Sequence, residues 1–359
     1  MKQNKLFIDI HAIQSIPPSN INRDDTRSPK TAQYGGVTRA RVSSQSWKRA
    51  IRKYFHENSG EKNVGIRSLD IINYVANKIV KLDSQISQEE AQKRSVEIFK
   101  EIGIKYTKDF KLKALFFLGE YQADALAKMG LEENYDKEQL KAVLKDNPAV
   151  DIALFGRMVA DDSYLNEDAS SQVAHAISTH AVQTEFDFFT AVDELLPEDE
   201  SGAGMLGTVE FNSSTLYRYA NVALHDFLEQ VKNKENAVNA IKLYVESFVK
   251  SLPTGKVNTF ANQSLPKGLV ITVRKDRPIN MVTAFETPIR SKEGYSSKSI
   301  IALGKEFKKV EKMVEKPVLS LYLTLDDIDN SNIEYLGEKQ ETLHDLLETL
   351  SVNLNNLLD

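Results

Sequence analysis

Residues 66–147 carry the apolar periodicity of helices alone, while extended patterns lie on both sides of them. That interruption constrains the fold more than any other feature, because the flanking strands must close into a sheet around a block that supplies none. Four helical stretches make up the block: "IRSLDIINYVANKIVKL", "SQEEAQKRSVEIFKEIG" with a Ser87/Glu90 capping box, "KDFKLKALFFLGEYQADALAKMG" closed by Gly130, and "YDKEQLKAVLKDN". Before it, "KLFIDIHAI" (5–13) alternates as a half-buried strand, and the loop "PPSNINRDDTRSPKTAQYGG" leads to a short strand, "VTRARVS", and a helix. After it, "VDIALFGRM" resumes strand character, and residues 187–224 read as two extended arms around an acidic, Gly-containing tip. A helix over 234–251 and strands at "GLVITVRK", "NMVTAFE" and "VLSLYLTL" follow, with helices over 296–315 and from 340 onward. The order predicts an α+β sheet with helices to one side.

The helix after the first strands has two unlike sides. In "RVSSQSWKRAIRKYF" (41–55), Trp47, Ala50, Ile51 and Tyr54 fall at i, i+3, i+4 and i+7, a core-facing stripe. Gln45, Lys48, Arg49 and Arg52 repeat the spacing on the opposite side, and Ser43 or Ser44 supplies the N-cap. The first turn holds no acid, although a helix N-terminus carries about half a positive charge and favours one. Free N–H groups, the dipole and cations one turn on make a phosphate site, with a second between Lys48 and Arg52. A solvated basic face is the plain alternative. The neighbourhood favours the anion: Thr26 to His56 contains eight Lys or Arg and no Asp or Glu. Taking those eight from the chain's 46 basic residues leaves 38 against 51 acidic ones, so the basic patch stands in an acidic background.

At 359 residues and 41% hydrophobic, the chain can bury a large core as one domain with insertions or as two domains. The longest apolar run, "ALFFLG", is too short to span a bilayer, and "MKQNKLFIDIHAI" places an aspartate where a signal peptide is apolar, so a cytoplasmic protein without membrane contact is expected. With no cysteine, disulfides, thiolate metal sites and cysteine nucleophiles are excluded. A pI near 5.8 excludes indiscriminate DNA coating and confines any nucleic-acid contact to a local track.

Several motifs occur together and in order: "NRDD" (22–25), "YGG" (34–36), "RVSSQSWKRAIRK" (41–53), "GRM" (156–158), "VAHAISTHAV" (173–182), "DFFTAVDEL" (187–195), "EFNSSTLYRYANV" (210–222) and "GKVNTFA" (255–261). In these the chain resembles the CasC family, the backbone subunit of the type I-E CRISPR complex called Cascade; the helical block and the C-terminal third match more loosely. The resemblance implies a modified RNA-recognition-motif (ferredoxin-like) palm, a helical fingers insertion and a protruding thumb hairpin. Mapped here, the palm covers 1–65, 151–186 and 225–359, the fingers 66–150 and the thumb 187–224. It implies a non-catalytic subunit without a cofactor whose copies stack along a CRISPR RNA, kink it at intervals and present it to target DNA beside the large, small and guide-end subunits.

Motif by motif, the resemblance implies guide-backbone contacts from Ser43, Gln45, Lys48 and Arg52, with Arg23 and Arg41 on neighbouring segments and Arg49 adding charge. Phe188, Phe189, Thr190 and Val192 match thumb-base residues, and Met158 the apolar residue opposite. Base wedging of this kind is worth about 1–3 kcal/mol and tolerates any sequence, although the Phe pair also fits an ordinary core. The family commonly has tryptophan where Phe188 stands, so stacking area is smaller here. Lys256, in the Gly-bearing loop "PTGKVNTFANQ", lies where the family has a loop beside the guide; by itself the loop reads as a surface turn. Lys137, Lys141 and Lys145 recur at i, i+4 and i+8 where related members face DNA, but Asp136, Glu138 and Asp146 between them equally suit a solvated face. No aromatic-rich signature of a base-stacking sheet is present.

The rival reading is a metal-assisted endoribonuclease using Asp24 or Asp25, since backbone subunits of type III complexes cut RNA with an aspartate in a similar loop. "NRDD" is equally the motif of the non-cutting family. His175 and His180, five apart with no carboxylate set, read as structural histidines rather than metal ligands.

Overall fold

The computed structural model of the chain describes residues 5–59, 63–192 and 203–359. Strands β1 (Phe7–Ser19), β2 (Thr31–Tyr34) and β3 (Val37–Val42) lead to helix α1 (Ser44–Asn58). The inserted block holds β4 (Gly65–Ser68), α2 (Ile71–Leu82), α3 (Gln88–Ile102), β5 (Phe116–Gly119), α4 (Glu120–Leu131) and α5 (Lys137–Lys145), and α6 (Val150–Phe155) returns the chain to the sheet-bearing body. Then come β6 (Ser171–Val173), β7 (Ala176–Ser178), and the long antiparallel pair β8 (Glu185–Val192) and β9 (Ala203–Ala223). Helices α7 (Leu224–Val231), α8 (Lys234–Lys250) and α9 (Val257–Phe260) precede β10 (Gly268–Arg274), α10 (Ser296–Val310), β11 (Leu319–Thr324), β12 (Glu338–Lys339) and α11 (Leu343–Leu358). No helix among the described residues is long and apolar enough to cross a membrane.

The main sheet runs β12-β11-β10-β1-β9-β7-β3-β2 and is antiparallel except at β11–β12. Within it, β1, α1, β7, β9, α8 and β10 follow one another in the chain while the strands lie in the order β10-β1-β9-β7, the βαββαβ arrangement of a ferredoxin-like unit. The fold is α+β, as expected. On one face, Ile8, Ile10, Ala220 and Ile271 pack against Ile51 and Phe55 of α1, Phe248 of α8 and Leu350 of α11. The inserted block closes a core of its own, with Ile79 of α2, Phe99 of α3, Leu126 of α4 and Leu144 of α5 in contact.

The structure corrects four local expectations. Strand β1 is buried on both faces, not one, because Met281, Phe285, Ile300, Leu303 and Phe307 cover the second face of the sheet. Helices therefore lie on both sides. "VDIALF" is the helix α6, since a short apolar run buried all round has no period to separate helix from strand, and Gly156 at φ 77° ends it. "FFLG" is the strand β5, paired with β4, so the block does contribute a two-stranded sheet. "MVTAF" is a 3₁₀ turn, capped by the Asn280 side chain accepting from the Val282 N–H at 3.1 Å.

The covered second face carries a row of buried polar groups that fixes the 3₁₀ segment to the sheet. The Tyr219 hydroxyl donates to Asp9 Oδ1 at 2.7 Å and the Ile279 N–H to Asp9 Oδ2 at 3.2 Å. The Met281 N–H reaches the Tyr217 hydroxyl at 3.0 Å, which also meets His11 Nδ1 at 2.9 Å. Arg274 Nε lies 3.6 Å from Asp9 Oδ2, close enough for charge attraction. Burial pushes the Asp9 carboxyl up to about 7 against those partners, and pushes His11 down to about 3. A carboxyl raised on folding contributes stability below its unfolded value near 3.8 and loses it as pH rises through about 7. The stability advantage of wild type over Asp9→Asn, read by urea denaturation, is therefore expected to shrink between pH 4 and 7 by roughly a few kcal/mol and to stay flat above. A pH-independent difference contradicts this.

Candidate nucleic-acid interface

Helix α1 begins at Ser43, whose Oγ accepts from the Ser46 N–H at 3.4 Å while its own N–H donates to Asn22 Oδ1 at 2.8 Å. The cap thus ties the helix to the 22–30 loop. The Ser44 and Gln45 N–H groups have no protein acceptor among the described residues, and the first turn holds no acid. The buried stripe is Trp47, Ile51 and Phe55; Ala50 and Tyr54 are half-buried.

The polar side is a ridge between two clefts rather than a single face. The first, of about 980 Å³, is lined by Arg23, Arg27, Arg49, Lys53, Lys250 and Lys256. The second, of about 1170 Å³, is lined by Gln45, Lys48, Arg49, Arg52, Arg67 and Met158. Arg49 is exposed and borders both. Arg23, Arg27, Lys48, Arg49, Arg67 and Lys256 form no ion pair among the described residues, whereas Lys53 pairs with Glu57 at 3.6 Å and Lys250 with Glu246 at 2.5 Å. Lys48 lies 5.5 Å from the Phe155 ring centre, and burial lowers its pKa.

Two loops position the first cleft. Asp24 Oδ1 accepts from the Thr26 N–H at 2.9 Å, the Thr26 hydroxyl at 2.7 Å and the Ser28 N–H at 3.0 Å, closing a turn that carries Arg23 and Arg27. The Thr26 hydroxyl, then the Ser28 and Thr26 amides, hold the Asp24 carboxyl below its ordinary range. Asp25 is exposed beside it. Opposite, the loop bearing Lys256 runs so near the backbone that a Cβ on Gly255 would stand 2.3 Å from the Ile21 carbonyl oxygen, which only glycine permits.

The remaining expected residues are placed elsewhere or differently. Arg41 lies outside both clefts, donating through Nε to the Thr31 carbonyl and lying 3.1 Å from His175 Nδ1. Arg52 is engaged inside the chain: its Nε lies 2.9 Å from Asp151 Oδ2 and its Nη2 donates to the Gly65 carbonyl at 3.0 Å. Met158 is 83% exposed at the second cleft, which Phe188 and Phe189 do not line. Those two rings point to opposite faces of the β8–β9 ribbon, Phe188 opposite Thr208 and Phe189 opposite Gly207, where its ring takes the space a Cβ would fill. Thr190 shares the Phe188 face, and the side chain of Val192 lies outside the described residues. Lys141 pairs with Asp162 at 2.5 Å and Lys145 with Glu167 at 2.9 Å, so of the three lysines on α5 only Lys137 is without an ion pair. His180 is stacked on Tyr295 with Nε2 accepting from the Thr215 N–H, and no three potential metal ligands converge among the described residues.

Sequence reasoning missed Arg67, which faces α1 from β4, and also Arg27, Lys250 and Asp151. Arg27 was visible in the eight-cation run; the other three come from segments far from α1 in sequence, and no local pattern announces them.

Ser43→Ala is expected to lower stability by about 1 kcal/mol in urea denaturation, through loss of the cap. Ser43→Asp restores the cap but brings a negative charge to the anion face, so it should regain stability yet elute from a heparin column at lower salt than wild type. Equal elution would show that the helix N-terminus does not face the anion.

No curated protein matches the chain. Among the solved structures that share its fold are a chain of a CRISPR RNA-guided surveillance complex in a pre-nicking state, with 32% identity, TM-score 0.87 and coverage of 97% of this chain and 100% of that one, and a chain of a CRISPR RNA-guided surveillance complex with 27% identity, TM-score 0.77 and coverage of 97% and 99%. The family described as CT1975-like protein matches residues 8–349. The chain belongs to that family.

Proposed function

We propose that the chain is a CRISPR RNA-binding backbone subunit of the type I-E CasC kind, a non-catalytic cytoplasmic scaffold of antiviral defence that assembles with copies of itself along the guide. The observation that carries this reading is the ridge of α1, where Arg49 joins two clefts that each hold cations without an ion pair, Arg23, Arg27 and Lys256 in the first and Lys48 and Arg67 in the second. A polyanion crossing the ridge would meet Arg23, Arg27 and Lys256 on one side, the open N–H groups of the first turn at the crest, and Lys48 and Arg67 on the other. These contacts address phosphate and sugar. They fix position without reading bases, as a scaffold for any spacer requires.

The likeness to two CRISPR RNA-guided surveillance complexes supports the same reading. On it, the ferredoxin-like unit is a palm related to the RNA-recognition motif, the inserted block the fingers and the β8–β9 ribbon the thumb. The sheet face that such a motif ordinarily offers to bases is here covered by α10 and the 3₁₀ turn, which leaves helix, loops and ribbon to hold RNA. Phe188, 65% exposed, is the ring free to wedge a base at a kink of the guide, while Phe189 is held against Gly207. Lys137 remains a contact for target DNA. The other partners are the large, small and guide-end subunits of the complex. The three donors on Asp24 Oδ1 support a structural role for that aspartate over the endoribonuclease alternative.

Co-expression with a CRISPR array and partner subunits, followed by size-exclusion chromatography and sequencing of bound RNA, is expected to give a large particle enriched in repeat-spacer transcripts of uniform length. A nucleic-acid-free monomer contradicts the reading. With four cations such as Arg23, Lys48, Arg49 and Lys256 on phosphates, the logarithmic salt slope of guide binding should be about −3 per subunit. Lys48→Glu with Arg49→Glu should abolish guide loading for every spacer; loss for some spacers only would reveal base readout.

A further inference from the structure

Residues Gly65 and Asp151 bracket the inserted block, so the chain leaves the sheet-bearing body and returns to it at one neck. There the Val150 N–H donates to the Asn63 carbonyl at 3.3 Å, and a buried carboxylate joins the neck to α1. Asp151 is fully buried; its Oδ1 accepts from the Gly65 N–H at 2.8 Å and its Oδ2 from Arg52 Nε at 2.9 Å. The same guanidinium donates to the Gly65 carbonyl and lies 4.2 Å from the centre of the Phe117 ring. Both backbone polar groups of Gly65 are thereby held, one by each member of the pair. Gly65 admits no side chain, because a Cβ would stand 2.5 Å from the Phe117 ring. On the body side of the neck Val64, Ala153 and Leu154 pack into the main core with Ile51 and Phe55, while Phe117, Ala149 and Ile152 form a small cluster of their own, apart from the block's core. The ion pair is the polar link from α1 to both ends of the block, and the buried Arg157 guanidinium holds the block from the other side by donating to the Phe117 and Leu144 carbonyls.

We infer that Asp151 and Arg52 form a latch that sets the angle of the inserted block over α1 and so the width of the second cleft, making both of them positioning residues of the guide site rather than phosphate ligands. The inference rests on the guide-binding reading for its consequence and on the neck geometry for itself. Walls of that cleft come from both sides of the neck: Gln45, Lys48 and Arg49 from α1, Arg67 and Leu115 from the block. Opening the neck moves one wall relative to the other. Arg52, with its side chain 19% exposed, cannot turn to a phosphate without stranding a buried, unpaired carboxylate, an arrangement far costlier than the pair.

The full chain carrying Asp151→Asn, Arg52→Gln or both separates the two roles of Arg52. The latch predicts faster hydrogen exchange in peptides spanning 63–68 and 148–155 for each variant. It also predicts guide binding weakened about tenfold by either substitution and no further by the double one, since the two residues act as a unit. The salt slope should not change. A direct phosphate contact predicts instead that Asp151→Asn leaves affinity intact while Arg52→Gln lowers it and reduces the slope by about 0.7; that result overturns the latch. Should Asp151→Asn fail to fold, Arg52→Lys decides: lysine keeps the charge for a phosphate but not the fork that reaches Asp151 and Gly65 together, so the latch requires it to behave like glutamine. Absence of guide binding by wild type would sink the functional reading alone, because the exchange signature at the neck is measured on the RNA-free protein.

Discussion

Helix α1, which bears the candidate interface, packs against one buried cation that joins it to the sheet. Arg218 of β9, 1% exposed, stacks its guanidinium 3.7 Å from the Trp47 ring centre of α1 and 4.2 Å from that of Phe248 on α8. It donates to Gln14 Oε1 of β1 and to the Phe248 carbonyl, each at 2.6 Å. Burial lowers its pKa to about 9, so it stays charged at neutral pH, held by ring faces and neutral acceptors rather than by a carboxylate. Two helices and the two central strands thus meet at one side chain. With α1 seated on Trp47, Ile51 and Phe55, its opposite flanks are committed to the two clefts.

From this seat follows a division of labour among the cations. Arg218, Arg39 and Arg157 are buried and bind chiefly main-chain carbonyls, which holds the fold together. Arg52, Lys141 and Lys145 are paired with carboxylates and join segments distant in sequence. Arg23, Arg27, Lys48, Arg49, Arg67 and Lys256 have neither and gather around a single ridge. In an acidic chain, six cations without an ion pair along one track concentrate positive charge where a polyanion could lie.

The parts legible in the sequence were those governed by local chemistry. The Ser43 cap, the missing acid in the first turn, the Ser87 cap of α3 and the apolar stripe of α1 depend on neighbours within a turn or two. Short apolar runs such as "VDIALF" and "FFLG" were misread because burial on all sides erases the period that distinguishes helix from strand. Cover on the second sheet face was hidden because Asp9 and His11 look solvent-facing in β1, yet the Asp9 carboxylate and His11 Nδ1 meet Tyr219, Ile279 and Tyr217 from far along the chain. The same limit affected the site: residue type announced Arg52 as a phosphate ligand, and only the approach of Asp151, 99 residues away, gives it another partner.

On the proposed reading, nucleic acid lies across the ridge of α1 and not on the sheet. Ultraviolet cross-linking of RNA-bearing particles purified with their partner subunits, read by mass spectrometry of the modified peptides, tests it most directly. Adducts within 23–30, 43–53 and 254–260 are predicted, together with adducts at the β8–β9 ribbon. Adducts confined to α10 or the strands beneath it, with none on α1, would contradict the account.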